Sequence, residues 1–210
     1  MSTAPPLRAT LLWVLACVAG EALGQGLSVG WAIALLDATP AEASLPAMLA
    51  AAGLQAASGL LEGAVLGTLQ ARALRRLYPR LPAARFAIAT ALAMLAASVV
   101  LALIRVALFR AEIGLQPLFG AFLAGVLGLP FGAAIGAAQH TALREAADRS
   151  SDWIAASALA WMLALPAASL TNSSGTLPAV LANAMLGGGA IGLVLGATTA
   201  YALRFLPPRA

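Results

Sequence analysis

The chain has 210 residues, 61% of them hydrophobic and only 10% charged, with a net charge of +4 and a mean hydropathy of +0.92. A soluble domain carries about a quarter charged residues, so this composition excludes the ordinary water-soluble classes. All twelve basic residues are arginines, gathered at the ends of apolar runs with no aromatic interleaving, which excludes a nucleic-acid interface.

Apolar stretches of about 18 residues or more recur, each long enough to cross ~30 Å of hydrocarbon as a helix. Alternating strands of a β-barrel are absent from the pattern. The expected fold is all-α: an integral membrane bundle of six transmembrane helices forming a single membrane domain over 1–210. The first apolar run follows Arg8 and imitates a signal peptide. It continues past Gln25 to Leu36, too long for a signal h-region, and is read as span 1, about 11–36. The others cover about 46–72, 83–109, 117–143, 153–170 and 178–204. Prolines 40, 46, 79, 82, 117 and 178 fall at turns or first helical positions, whereas Pro130 and Pro166 lie within spans and are expected to kink them. The one cysteine, Cys17, permits no internal disulfide.

Arg8, the group from Arg72 to Arg85, Arg144, Arg149, Arg204 and Arg209 fall on one side of such a bundle, and only Arg105 and Arg110 on the other. This bias places both termini in the cytoplasm. The alanine excess and missing lysine fit a chain from a GC-rich bacterial genome, and hence the inner membrane.

One pattern recurs three times in register. Gly63, Gly67, Gln70, Leu74 and Arg75 close span 2; Gly132, Gly136, Gln139, Leu143 and Arg144 close span 4; Gly192, Gly196, Thr199, Leu203 and Arg204 close span 6. The odd spans open on Trp13, Phe86 and Trp153, each followed by small residues. Together these give three parallel-repeat helical hairpins, about 8–78, 82–147 and 150–206, unlike the inverted repeats of many transporters. On a helix the glycines and the Gln or Thr share one stripe. Lipid gives helices no hydrophobic reason to associate, so small residues that let backbones approach act as a packing seam, and the polar residue adds an interhelical bond. A ligand site at Gln70 and Gln139 is the sharper alternative.

The strings "GAVLGTLQARALRR" and "GAAIGAAQHTALRE…WIAASALAW" resemble a widespread set of bacterial polytopic membrane proteins. Their hairpins carry G-A-x-x-G-x-x-Q-W-x-x-L-R followed by W-x-x-A-[ST]-x-x-G-W. The resemblance covers about two-thirds of the chain and implies a polytopic helical fold with no activity attached. Ala71 and His140 stand where that pattern has tryptophan.

Packing leaves two carboxylates unexplained. Glu21 and Glu62 lie about ten residues from the cytoplasmic ends of spans 1 and 2, or ~15 Å, near the bilayer middle. Cys17, Glu21, Gln25 and Ser28 form one stripe, and Gln55, Ser58 and Glu62 another. Facing each other, they make a polar pocket in which two carboxylates share a proton. Phe131 and Ile191 occupy the repeat position of Glu62, so the acids belong to the first hairpin alone. Ionisable groups at this depth are functional candidates; a protonated Glu bonded to Gln as interhelical glue is the plainer alternative. His140, the sole histidine, is a possible cofactor ligand at the membrane edge. Asn183 is a further polar residue within span 6, and Thr171–Thr176 reads as a polar outer turn.

No catalytic triad, phosphate loop or metal-ligand set can be assembled from these residues, and no cofactor is specified. Three readings stand. The first is a non-enzymatic accessory or assembly subunit packing through small-residue seams, with the bilayer and other membrane subunits as partners. The second is a small proton- or cation-coupled transporter using Glu21 and Glu62, assisted by Gln25 and Gln55. The third is a cofactor or lipophilic-ligand binder through His140.

Overall fold

A computed structural model describes residues 6–36, 44–110, 117–170 and 175–209. Those residues form α1 (Leu7–Leu36), α2 (Leu45–Leu74), α3 (Ala83–Arg110), α4 (Pro117–Leu143), α5 (Asp152–Ala164) and α6 (Leu177–Leu203), with a 3₁₀ helix at Leu165–Leu170 between α5 and α6. Pro46 and Pro178 open α2 and α6, where a missing N–H leaves no bond unmade. The expected turn residues 37–43 and 171–174 lie outside the described residues, as do the side chains of Arg105 and Arg110.

Five helices are long and apolar enough to cross a membrane; α5 is the exception. The expected fifth span, 153–170, is an α-helix only as far as Ala164. Pro166 lacks an N–H, and its ring opposes the carbonyl one turn back, so the chain tightens into 3₁₀ geometry one residue before it. A 3₁₀ helix rises ~2.0 Å per residue, so α5 and its extension together cover about 31 Å. Pro130 has no such effect: α4 runs through it as one helix.

The backbones approach one another only around a ring in which α6 returns to α1. α2 packs closest on α3, α6 on α1, and α4 on α5 with its 3₁₀ extension, seams that cross the expected hairpin boundaries, while α1 and α2 also pack together within the first hairpin. The glycines account for this. A Cβ on Gly67 would meet Thr90 and Ala87, one on Gly136 would meet Ser157 and Ile154, and one on Gly196 would meet Val14 and Cys17. Gly63, Gly132 and Gly192 repeat the pattern a turn earlier, against Ala91, Ala158 and Val18. All six face a neighbouring helix of the same chain.

Side chains fill the middle of the ring. Trp13 and Trp153 meet edge to face, 5.6 Å between centroids, near the arginine-rich end. Half-way along, Leu66, Met94, Ile135, Trp161, Ile191 and Leu195 form a second buried cluster, with Phe131 on the edge of Trp161 at 4.8 Å. Large apolar side chains such as Leu15, Leu92, Val126, Leu163 and Leu186 point outward, a surface suited to lipid rather than water. After α6 the chain crosses the arginine-rich end. The Arg209 N–H donates to the Ala146 carbonyl at 2.9 Å, the Asp148 N–H to the Pro207 carbonyl at 3.0 Å, and the Tyr78 hydroxyl to the Leu206 carbonyl at 2.8 Å. Burial pushes the Tyr78 phenol up to about 12, so it remains a donor through the neutral range.

Candidate functional site

Two polar layers cross the ring. The layer nearer the arginines holds the Gln and Thr of the threefold motif. Gln139 Nε2 donates to Gln70 Oε1 at 3.1 Å and to Thr90 Oγ1 at 3.0 Å. Gln70 Nε2 reaches Cys17 Sγ at 3.4 Å. The indole N–H of Trp153 donates to Gln139 Oε1 at 2.7 Å, and that of Trp13 to Thr199 Oγ1 at 2.9 Å. The opening aromatic of α5 or α1 thus bonds the motif's polar residue on α4 or α6. A buried tryptophan N–H needs an acceptor, and the matching registers of aromatic and Gln/Thr were the sequence signal for these two pairs.

This layer is closed, with no orphaned atom on Gln70, Gln139 or Thr199, and it acts as an interhelical lock. Trp153→Phe keeps an aromatic ring, as Phe86 does, but leaves Gln139 Oε1 without its donor. It should destabilise the protein by about 1–3 kcal/mol, read as a lower unfolding midpoint in detergent.

The second layer lies near the midpoints of α1 and α2, both thirty residues long. Here the structure brings Glu21, Gln25, Ser28, Ser58 and Glu62 together. Gln25 Nε2 donates to Glu62 Oε1 at 3.0 Å, and Ser28 Oγ to Glu62 Oε2 at 3.1 Å. Ser28 also lies 3.4 Å from the Ser58 carbonyl. Gly24 makes room for this contact, because a Cβ there would sit 2.7 Å from Glu62 Cγ.

Glu21 is fully buried beside Glu62, close enough for the two carboxyls to interact, and no donor of any other residue reaches either of its oxygens. Gly188 of α6 closes the other side, against the Glu21 and Gln25 backbone and stem. Among the described residues no cation pairs with either glutamate. In the register set by the seams, Met94 and Trp161 take the place of Glu21, so two apolar thirds of the central cluster are matched by one acidic third.

Gln55 does not join the pair. Its carbonyl accepts from Ser58 Oγ at 2.7 Å, but its side chain makes no hydrogen bond among the described residues. It lies two turns beyond Glu62 along α2, and Gln25 and Ser28 of α1 supply the donors instead. His140 has a buried Nδ1 with no partner, and no group of three or more His, Cys, Asp or Glu that could hold a metal occurs among the described residues. No family model, no curated protein and no solved structure matches the chain.

Proposed function

We propose that this is a small proton-coupled carrier of the bacterial inner membrane, with Glu21 and Glu62 as the site that takes up and releases the proton. The carrying observation is the Glu21 carboxyl, buried at mid-helix, reached by no donor of another residue and set against a second carboxyl. Taking an ion out of water costs several kcal/mol, and two adjacent bare negative charges without a cation cannot persist, so the pair holds a proton between them. A proton is favoured over a metal cation because Gln25 and Ser28 direct donors, not lone pairs, at Glu62. Among the described residues, burial also stops just beyond the pair on α1 and α2: Ser28 is the last buried residue of α1 and Ala56 the first of α2.

The accessory-subunit reading draws less support, since the glycine seams that would dock another subunit are occupied by this chain's own helices. The matching seam registers support three hairpin repeats, with α5 and its 3₁₀ extension as a sixth crossing. The arginine excess at the end carrying both termini supports cytoplasmic termini.

The test is proton flux into liposomes under an imposed pH gradient. Wild-type protein should conduct, and Glu21→Gln and Glu62→Gln should each reduce flux at least tenfold. Unchanged flux in both variants, or flux driven by a sodium gradient alone, would overturn the reading.

A further inference from the structure

We infer that the cleft between α1 and α2 at the arginine-rich end binds one anionic phospholipid. The cleft has a volume of about 280 Å³. Leu12 and Leu15 of α1 and Leu69 of α2 form an apolar floor, and Arg72 in the last turn of α2 and Arg76 in the turn that follows the helix line the same cleft. Both arginines are exposed, and among the described residues neither has an ion-pair partner. Guanidinium groups lining one cleft suit the oxygens of a phosphate, while the leucine floor matches the start of an acyl chain.

The other two clefts of the ring lack this combination. In the register of the threefold motif, Glu145 of α4 takes the place of Arg76, and it is held by Arg85 in an ion pair within the chain. On α6 the same two positions are Tyr201 and Phe205, packed edge to face at 5.3 Å. At these two positions the second hairpin pairs its Glu145 with Arg85 and the third packs two aromatic rings, whereas the α1–α2 cleft sets two exposed arginines against an apolar floor. A soluble phosphate would satisfy the arginines but leave the leucines uncovered, so a lipid is the occupant that fits both parts. The site lies about two to three turns toward the arginine end from the second polar layer, on the outer side of the same helix pair. It rests on the membrane reading of the chain and not on proton coupling.

Native mass spectrometry of detergent-purified protein tests it, with phosphatidylglycerol, phosphatidylcholine and inorganic phosphate added separately. The wild type should retain one phosphatidylglycerol per chain, hold phosphatidylcholine at least tenfold less well, and keep the lipid in excess inorganic phosphate. The Arg72→Gln/Arg76→Gln double variant should lose phosphatidylglycerol at least tenfold. Leu15→Ala, which thins the apolar floor at a lipid-facing position 60% exposed without setting a charge against hydrocarbon, should weaken retention as well. Arg149→Gln, which removes a cation already paired with Asp152, should retain it. Equal retention of both lipids, undiminished binding in the double variant, or displacement by inorganic phosphate overturns the inference.

Discussion

Glu21→Met is expected to make the protein more stable while abolishing its proton flux. A buried polar group without a partner costs about 1–3 kcal/mol, and beyond the proton it shares with Glu62 the Glu21 carboxyl is reached by no donor. Methionine has nearly the same length and is the residue already accommodated at position 94, in the corresponding place of the ring and buried in the central cluster. The substitution removes the penalty and leaves no cavity, so the unfolding midpoint in detergent should rise by an amount equivalent to about 1–3 kcal/mol. Glu62→Met should do the opposite. It removes the acceptor of both Gln25 and Ser28, leaving the half-buried Gln25 amide unpaired and Ser28 with only the Ser58 carbonyl at 3.4 Å, and should cost about 1 kcal/mol. Flux should vanish in both. Residues retained for packing are not improved by deletion; a fall in stability on Glu21→Met would identify Glu21 as interhelical glue and remove the reason for assigning it a proton.

That opposite sign was not legible in the sequence, although the proximity of the two acids was. Depth along a membrane helix follows from residue counting, and a short connection makes helices 1 and 2 neighbours, so Glu21 and Glu62 had to lie at similar height. Which atoms would be satisfied depends on rotation about each helix axis. Cys17, Glu21, Gln25 and Ser28 share a stripe of α1 that is wide enough to serve different partners: Cys17 reaches Gln70, Gln25 and Ser28 donate to Glu62, and Glu21 reaches only the carboxyl of Glu62. The glycine motif likewise specified a seam but not the helix on its far side. Gly63 could have faced α1 or α3, and the small residues Ala87, Thr90 and Ala91 of α3 decide it. The shortness of α5 was readable in principle, since Pro166 disfavours an α-helix at the residue before it, but hydropathy alone runs through the proline without a mark.

The seams make a second strong prediction, at two adjacent residues of α6. A methyl group added at Gly188 would lie 2.8 Å from the Glu21 carbonyl carbon and 2.9 Å from Gln25 Cβ, whereas one added at Gly189 would meet nothing nearer than Val18 Cγ1 at 3.9 Å. Gly188→Ala must therefore push α6 away from α1, and overpacking of this kind costs about 1–3 kcal/mol. Gly189→Ala enters ordinary van der Waals space and relieves the conformational freedom of a helical glycine, which favours alanine by up to about 1 kcal/mol. The first should lower the unfolding midpoint in detergent, and the second should leave it unchanged or raise it. Gly192→Leu carries the first effect to its limit, because the added side chain would have to enter the α1 backbone at Cys17 and Val18, and no folded protein should be recovered. Helix propensity changes equally at 188 and 189, so a matching loss at both would mean that α6 does not lie on α1 in this rotation. A loss at 188 alone ties the ring closure to the carboxyl site, since the backbone that Gly188 admits is that of Glu21 itself. The close α6–α1 approach is then also what keeps Glu21 away from lipid, and weakening it should reduce proton flux even with both glutamates in place.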